Sequence, residues 1–223
     1  MDFMRLLKSI EELLYEVATW VLFYPLTVAR VVRRPVAMMA YAERELGDEV
    51  EEQYVDALSP PICLLITLFL LHVVERIFPR VEAEIPGVLS SDNNLLAFRA
   101  VLFSIFPLLL GLVHLKQRGV KLTRHSLRPS FYAQCYVAVP FVVAASLGLS
   151  LASRGLTVPG LALMAAGYAW YAAVQTIWQS RDGKTSRAMA LLASSATIVG
   201  ATILLIAVTA ITGFAIGMVP PAD

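Results

Sequence analysis

The sequence predicts an all-α polytopic membrane protein: a transmembrane bundle of five spanning helices preceded by an N-terminal amphipathic interfacial helix. Three observations lead there. Of 223 residues, 58% are hydrophobic and only 16% charged, whereas soluble domains run at about 45–50% apolar and about 25% charged. Five segments are each long and apolar enough to cover a hydrocarbon core of about 30 Å at about 1.5 Å per residue. Lysines and arginines gather on alternate sides of those segments. The runs are continuously apolar, without the in-and-out alternation of barrel strands, so a closed β-barrel is disfavoured.

Residues 1–60 form the first region. Leu6, Leu7, Ile10, Leu13, Leu14, Val17, Ala18 and Val21 recur at helical spacing, with Lys8, Glu11, Glu12 and Glu16 mainly off that stripe. This predicts a helix over 3–34 lying on the inner leaflet and broken near Pro25, with Arg30, Arg33 and Arg34 as membrane-surface anchors at anionic headgroups. Only 13 uncharged residues separate Glu16 from Arg30, which is short for a span. The rival reading makes Leu13–Val32 a sixth crossing. Residues 43–56 carry Glu43, Glu45, Asp48, Glu49, Glu51, Glu52 and Asp56 against Arg44. They read as a solvated linker that does not pack, or as a docking strip for a protein partner or for the chain's own basic loops.

The spans follow at 61–78, 98–115, 131–153, 160–179 and 188–216, with a short tail over 217–223. Six basic residues precede the first span, Arg5, Lys8, Arg30, Arg33, Arg34 and Arg44. Lys116, Arg118, Lys121, Arg124 and Arg128 lie between the second and third, and Arg181, Lys184 and Arg187 before the fifth. The intervening loops hold Arg80 against Glu82, Glu84 and Asp92, then Arg154 alone, and the tail holds no basic residue. By the positive-inside rule the N-terminus is cytoplasmic and the C-terminus outside.

Several function classes drop out. A net charge of +1 supplies no global field for nucleic acid. Two cysteines and three histidines, with no pair at ligand spacing on one helix, argue against a metal site, and no cofactor is expected. Neither a phosphate-binding glycine loop, HExxH, GxSxG nor CxxC occurs, so no enzymatic activity is expected.

Ionisable groups at membrane depth are costly, so each demands a reason. Glu75, near the end of the ascending first span, and Arg99, near the start of the descending second, should sit at similar depth. They are expected to pair, the alternative being that each snorkels to the interface. Pro107 and Pro140 fall mid-span and free backbone carbonyls. With Gln134, Tyr136, Trp170 and Gln175 they are the candidates for a cavity between spans two, three and four. The alternative is that these amides and aromatics are interhelical hydrogen-bonders and interface anchors. Small residues four apart, Ala144, Gly148 and Ala152 in span three and Ala196 and Gly200 in span five, mark close helix contacts and allow a homo-oligomer without specifying one.

The order of features resembles the Yip1-like membrane proteins. Their approach to span one tends to read Asp-Leu-x-Gly-Pro, and Asp56-Ala57-Leu58-Ser59-Pro60 keeps the aspartate and proline but replaces the leucine and glycine. Their third span often opens Gly-Tyr with a proline four residues after the tyrosine, and Cys135-Tyr136-Val137-Ala138-Val139-Pro140 keeps Tyr136 and Pro140. Trp170 matches a tryptophan that recurs in span four. The resemblance, over roughly 56–216, implies a five-span membrane-organising or adaptor protein; relatives in eukaryotes are linked to vesicle traffic and small GTPases, and some bacterial ones are labelled permeases. A bacterial inner-membrane location suits the compact loops. The favoured function is a non-enzymatic scaffold recruiting a partner through its N-terminal region, and the alternative is a small permease or lipid-handling subunit.

Overall fold

The computed structural model describes residues 3–49, 52–78, 92–181 and 184–217. Among them lie seven helices and no strand: α1 (Phe3–Arg33), α2 (Pro35–Glu45), α3 (Pro60–Ile77), α4 (Asp92–Arg118), α5 (Arg124–Ser153), α6 (Thr157–Ser180) and α7 (Arg187–Gly217). The last five are long and apolar enough to cross a membrane, so the chain is an integral membrane protein. Arg80, Glu82, Glu84 and the tail beyond Gly217 lie outside the described residues.

Helix α5 outruns its apolar segment because its start is set by a cap, not by hydropathy. At the start of α5, the Thr123 hydroxyl accepts from the Ser126 N–H and the Ser126 hydroxyl accepts from the Thr123 N–H, both at 3.0 Å. This reciprocal capping box begins the helix two turns before its greasy stretch. α5 is the hub. From Ala133 to Val142 every residue except the half-buried Pro140 is buried, as expected of a helix apolar all round. It packs against α1, α2, α3, α4 and α6, while α7 contacts α4 and α6. Helices α5 and α6 touch at their small residues. A Cβ built on Gly148 would stand 2.7 Å from the Gly160 carbonyl oxygen, and one on Gly160 would strike the Gly148 carbonyl oxygen in turn. Gly200 on α7 meets nothing within 4 Å. Along α7, Ser194, Thr197, Thr202 and Thr209 each donate to the carbonyl four residues earlier, which satisfies them without a partner helix.

Two expectations about the N-terminal region are corrected. First, α1 is not broken near Pro25. Phe23, Tyr24 and Val28 pack on the core and Thr27 and Val31 are buried, so contacts on both sides of the proline hold the helical line against one lost hydrogen bond. The turn falls at Arg34, which adopts φ −138° and ψ 59° before Pro35, where a residue preceding proline is pushed out of the α region. Second, the 43–56 strip, expected as an unpacked linker, is so only in part. Asp48, Glu49 and Glu52 are exposed, but Tyr54 stacks on Tyr132 and bonds Glu45 and the Ala42 carbonyl, and a helix not expected from the sequence leads into the strip. Pro35 supplies the pre-set first residue of α2, and Met38, Met39 and Ala42 bury its inner face against α5.

Candidate functional site

The region of interest is the end of the bundle where α2, the α4–α5 loop and the α6–α7 loop meet, here termed the basic end. Its organising element is the segment Asp56–Ser59 that leads into α3. The Tyr41 hydroxyl donates to Asp56 Oδ1 (2.6 Å), and Arg30 Nη1 donates to Asp56 Oδ2 (3.1 Å) and to the Asp56 carbonyl (2.9 Å). One residue on, the Leu58 N–H donates to Thr27 Oγ1 (3.1 Å) while the Leu58 carbonyl accepts from the Tyr136 hydroxyl (2.5 Å). α1, α2 and α5 therefore grip the same four residues. The Tyr41 hydrogen bond holds the Asp56 carboxyl below its ordinary value, with Arg30 adding to it against some desolvation. Burial, with the bond to Asp56 next, raises the Tyr41 phenol far above its usual range.

A second clamp fixes α2 to the bundle. Tyr54 holds a left-handed φ of 59°, a conformation that costs a side-chain-bearing residue about 1 kcal/mol. It is over-determined: its N–H donates to Glu45 Oε2 (2.7 Å), its hydroxyl donates to the Ala42 carbonyl (3.1 Å), and its ring stacks on Tyr132 at 6.4 Å. Arg128 caps the other ring from 5.3 Å. Across the bundle, Glu43 meets Arg181 at 2.9 Å, and that guanidinium lies 3.4 Å above the Trp178 ring, a cation–π contact. Two of the acids of the 43–56 strip, Glu43 and Asp56, are thus paired within the chain, whereas Asp48, Glu49 and Glu52 are exposed.

Between these clamps and the turn at Arg34 opens a cavity of about 510 Å³. Leu26, Ala29, Arg30 and Arg33 line it from α1, Arg34 from the joint and Ala37, Met38 and Tyr41 from α2, and Asp56 closes it. Both contributions, the second counted from Arg34, have the spacing i, i+3, i+4, i+7, which defines one face of a helix. The three arginines read from sequence as surface anchors thus converge on one concave site. Arg30 is neutralised by Asp56; Arg33 and Arg34 are exposed, and no carboxylate pairs with either among the described residues. Tyr41 and Asp56 were not part of that anchor reading, although the matching spacings on either side of Pro35 were legible.

The other sequence candidates disperse. Glu75 and Arg99 form an ion pair joining α3 to α4, with side chains 16% and 22% exposed. Gln134 and Gln175 are fully buried and bond reciprocally, Gln134 Nε2 donating to Gln175 Oε1 (3.1 Å) and Gln175 Nε2 donating back. They fasten α5 to α6. Tyr136 points to the Leu58 carbonyl, Trp170 is half-buried on the core, and the helices pass unbroken through Pro107 and Pro140. Of these candidates Gln134, Gln175 and Tyr136 are bonded within the bundle. Buried Trp178 and Gln179 do retain hydrogen-bonding atoms without a partner, the indole Nε1 and the amide Nε2. Among the described residues no three histidines, cysteines or carboxylates converge to hold a metal.

Compared with known proteins, the chain matches no family model, no curated protein and no solved structure.

Proposed function

We propose that this protein is a non-enzymatic membrane scaffold or adaptor of the Yip1-like type, seated in a bacterial inner membrane. Its basic end and N-terminus face the cytoplasm, and its C-terminus faces outward. The bundle anchors the protein, α1 rests in the inner leaflet, and the exposed acids Asp48, Glu49 and Glu52 present a strip to a basic partner. The observation that carries this reading is the state of α1's apolar face. Leu7, Ile10, Leu13, Leu14, Val17 and Val21 are all exposed, on a helix whose C-terminal third is locked into the bundle. Immersing six such side chains offers roughly 10 kcal/mol before costs, enough to hold a helix at a lipid surface alongside basic residues.

The contacts also bear on its tilt. Arg30 is level with Asp56, yet the Tyr24 hydroxyl bonds Thr67 at 3.0 Å, about two turns into α3. An oblique α1 dipping into the leaflet fits this better than a flat one. The test is the full-length protein in nanodiscs with a spin label at a single cysteine replacing Leu14. Relaxation by oxygen exceeding that by a water-soluble nickel chelate supports immersion; the reverse ratio refutes the reading.

One observation favours a second reading, a small permease or lipid-handling subunit with a cavity between α4, α5 and α6. The partnerless atoms of Trp178 and Gln179 are groups that a polar solute would satisfy.

A further inference from the structure

We propose that the α1–α2 elbow is a discrete binding site for the phosphate of one anionic phospholipid, held by Arg33 and Arg34 with an acyl chain laid along Leu26 and Leu22. The inference deepens the scaffold reading and rests on its placement of the elbow at the membrane surface.

Four features of the cavity carry it. Its charge is concave: Arg33 arrives from the last turn of α1 and Arg34 from the joint itself, and both residues line one space. Guanidinium forks suit phosphate oxygens. The third arginine does not compete, because Asp56 and Tyr41 hold Arg30 as part of the wall. The first turn of α2 opens at the same place. Pro35 has no N–H and the Met38 N–H bonds the Arg34 carbonyl (3.0 Å). Ala37 stands on the cavity wall, and because α1's negative end abuts α2's positive one the arginines themselves supply the positive field. Finally, the cavity is two-faced. Leu26 and Met38 give it an apolar floor, and the exposed Leu22 continues that floor one turn further along α1, in the direction that runs beside α3. A free phosphate would use the cationic half alone; a phospholipid uses both.

The site differs from diffuse attraction of basic residues to a charged leaflet, which is non-stoichiometric and indifferent to position. Full-length protein in detergent, stripped of lipid, is offered dioleoyl phosphatidylglycerol or dioleoyl phosphatidylcholine and analysed by native mass spectrometry. The expected result is one retained phosphatidylglycerol per chain and no comparable retention of phosphatidylcholine. Changing Arg33→Gln with Arg34→Gln should lower that retention at least about tenfold. Lys121→Gln with Arg124→Gln removes the same charge from the same end, outside the cavity, and should leave it unchanged. Equal losses in both double variants, or no stoichiometric retention by the unaltered protein, overturn the proposal. Inorganic phosphate is the competitor arm: displacement of the lipid at equal concentration overturns the lipid assignment, and resistance to it supports the acyl contact. The spin label at position 14, repeated in the Arg33/Arg34 variant, separates the two readings. Immersion with unchanged lipid retention sinks the pocket alone, whereas an aqueous label sinks the surface placement on which it rests.

Discussion

The two ends of the bundle are secured in different ways. At the end away from α2, adjacent elements are stitched by charge: Glu75 to Arg99 between α3 and α4, and Arg154 from α5 to the Phe78 carbonyl and ring. Each named cation there answers to one neighbour. At the basic end ion pairs, Arg30 to Asp56 and Glu43 to Arg181, are joined by a set of hydroxyl bonds. Tyr41 bonds the Asp56 carboxylate, Thr27 and Tyr136 the Leu58 backbone, and Tyr54 the Ala42 carbonyl. With those partners engaged, Arg33 and Arg34 line a cavity without a carboxylate partner among the described residues. The comparison teaches that a charged residue is informative when the packing does not require it.

The largest expected effect comes from breaking the charged end. Arg99→Leu removes the guanidinium that pairs with the mostly buried Glu75 carboxylate, and should cost on the order of 3 kcal/mol in an unfolding titration in detergent. Combining Glu75→Arg with Arg99→Glu should recover most of it. A swap no better than the single variants would show that the pair does not carry the contact between α3 and α4.

A smaller loss is expected in the bundle interior near the basic end. Gln134→Leu strands the buried Gln175 amide and should cost about 1–2 kcal/mol, with Gln175→Leu on the same chain restoring most of it. Unchanged stability accompanied by altered solute uptake would instead favour the permease reading.

The smallest effect is at the clamp. Tyr41→Phe removes one hydrogen bond to a largely exposed carboxylate and should cost about 1 kcal/mol or less at neutral pH. Its signature is pH dependence. Asp56 is held below its ordinary value of 3.8, so its contribution is fully present above that value and is lost as pH falls through the lower folded value. Acid unfolding followed by circular dichroism should therefore begin at higher pH in the Tyr41→Phe variant. Coincident acid transitions would remove Tyr41 from the clamp.

The five crossings were legible because burial in lipid needs only length and apolarity, and both are properties of contiguous residues. The Glu75–Arg99 pairing was legible too, since antiparallel neighbours return the chain to equal depth. The helix over 35–45 was missed. Its signals, Pro35 at the first position and a buried face of Met38, Met39 and Ala42, were overshadowed by the acids that follow. Pro25 was overweighted for the complementary reason: a proline's cost is fixed locally, but whether a helix absorbs it depends on what packs to either side.

Sequence by itself determined the fold class, the number of spanning helices and the residues able to bear charge at each depth, because these follow from hydropathy and chain direction. Only the tertiary structure decided which polar groups meet. Tyr136 reaching Leu58, Arg181 lying on Trp178, and the faces of α1 and α2 turning toward one another at Arg34 depend on helix rotation and on a single backbone torsion. No periodicity fixes either quantity. They are set when neighbouring helices dock, and with them the elbow cavity.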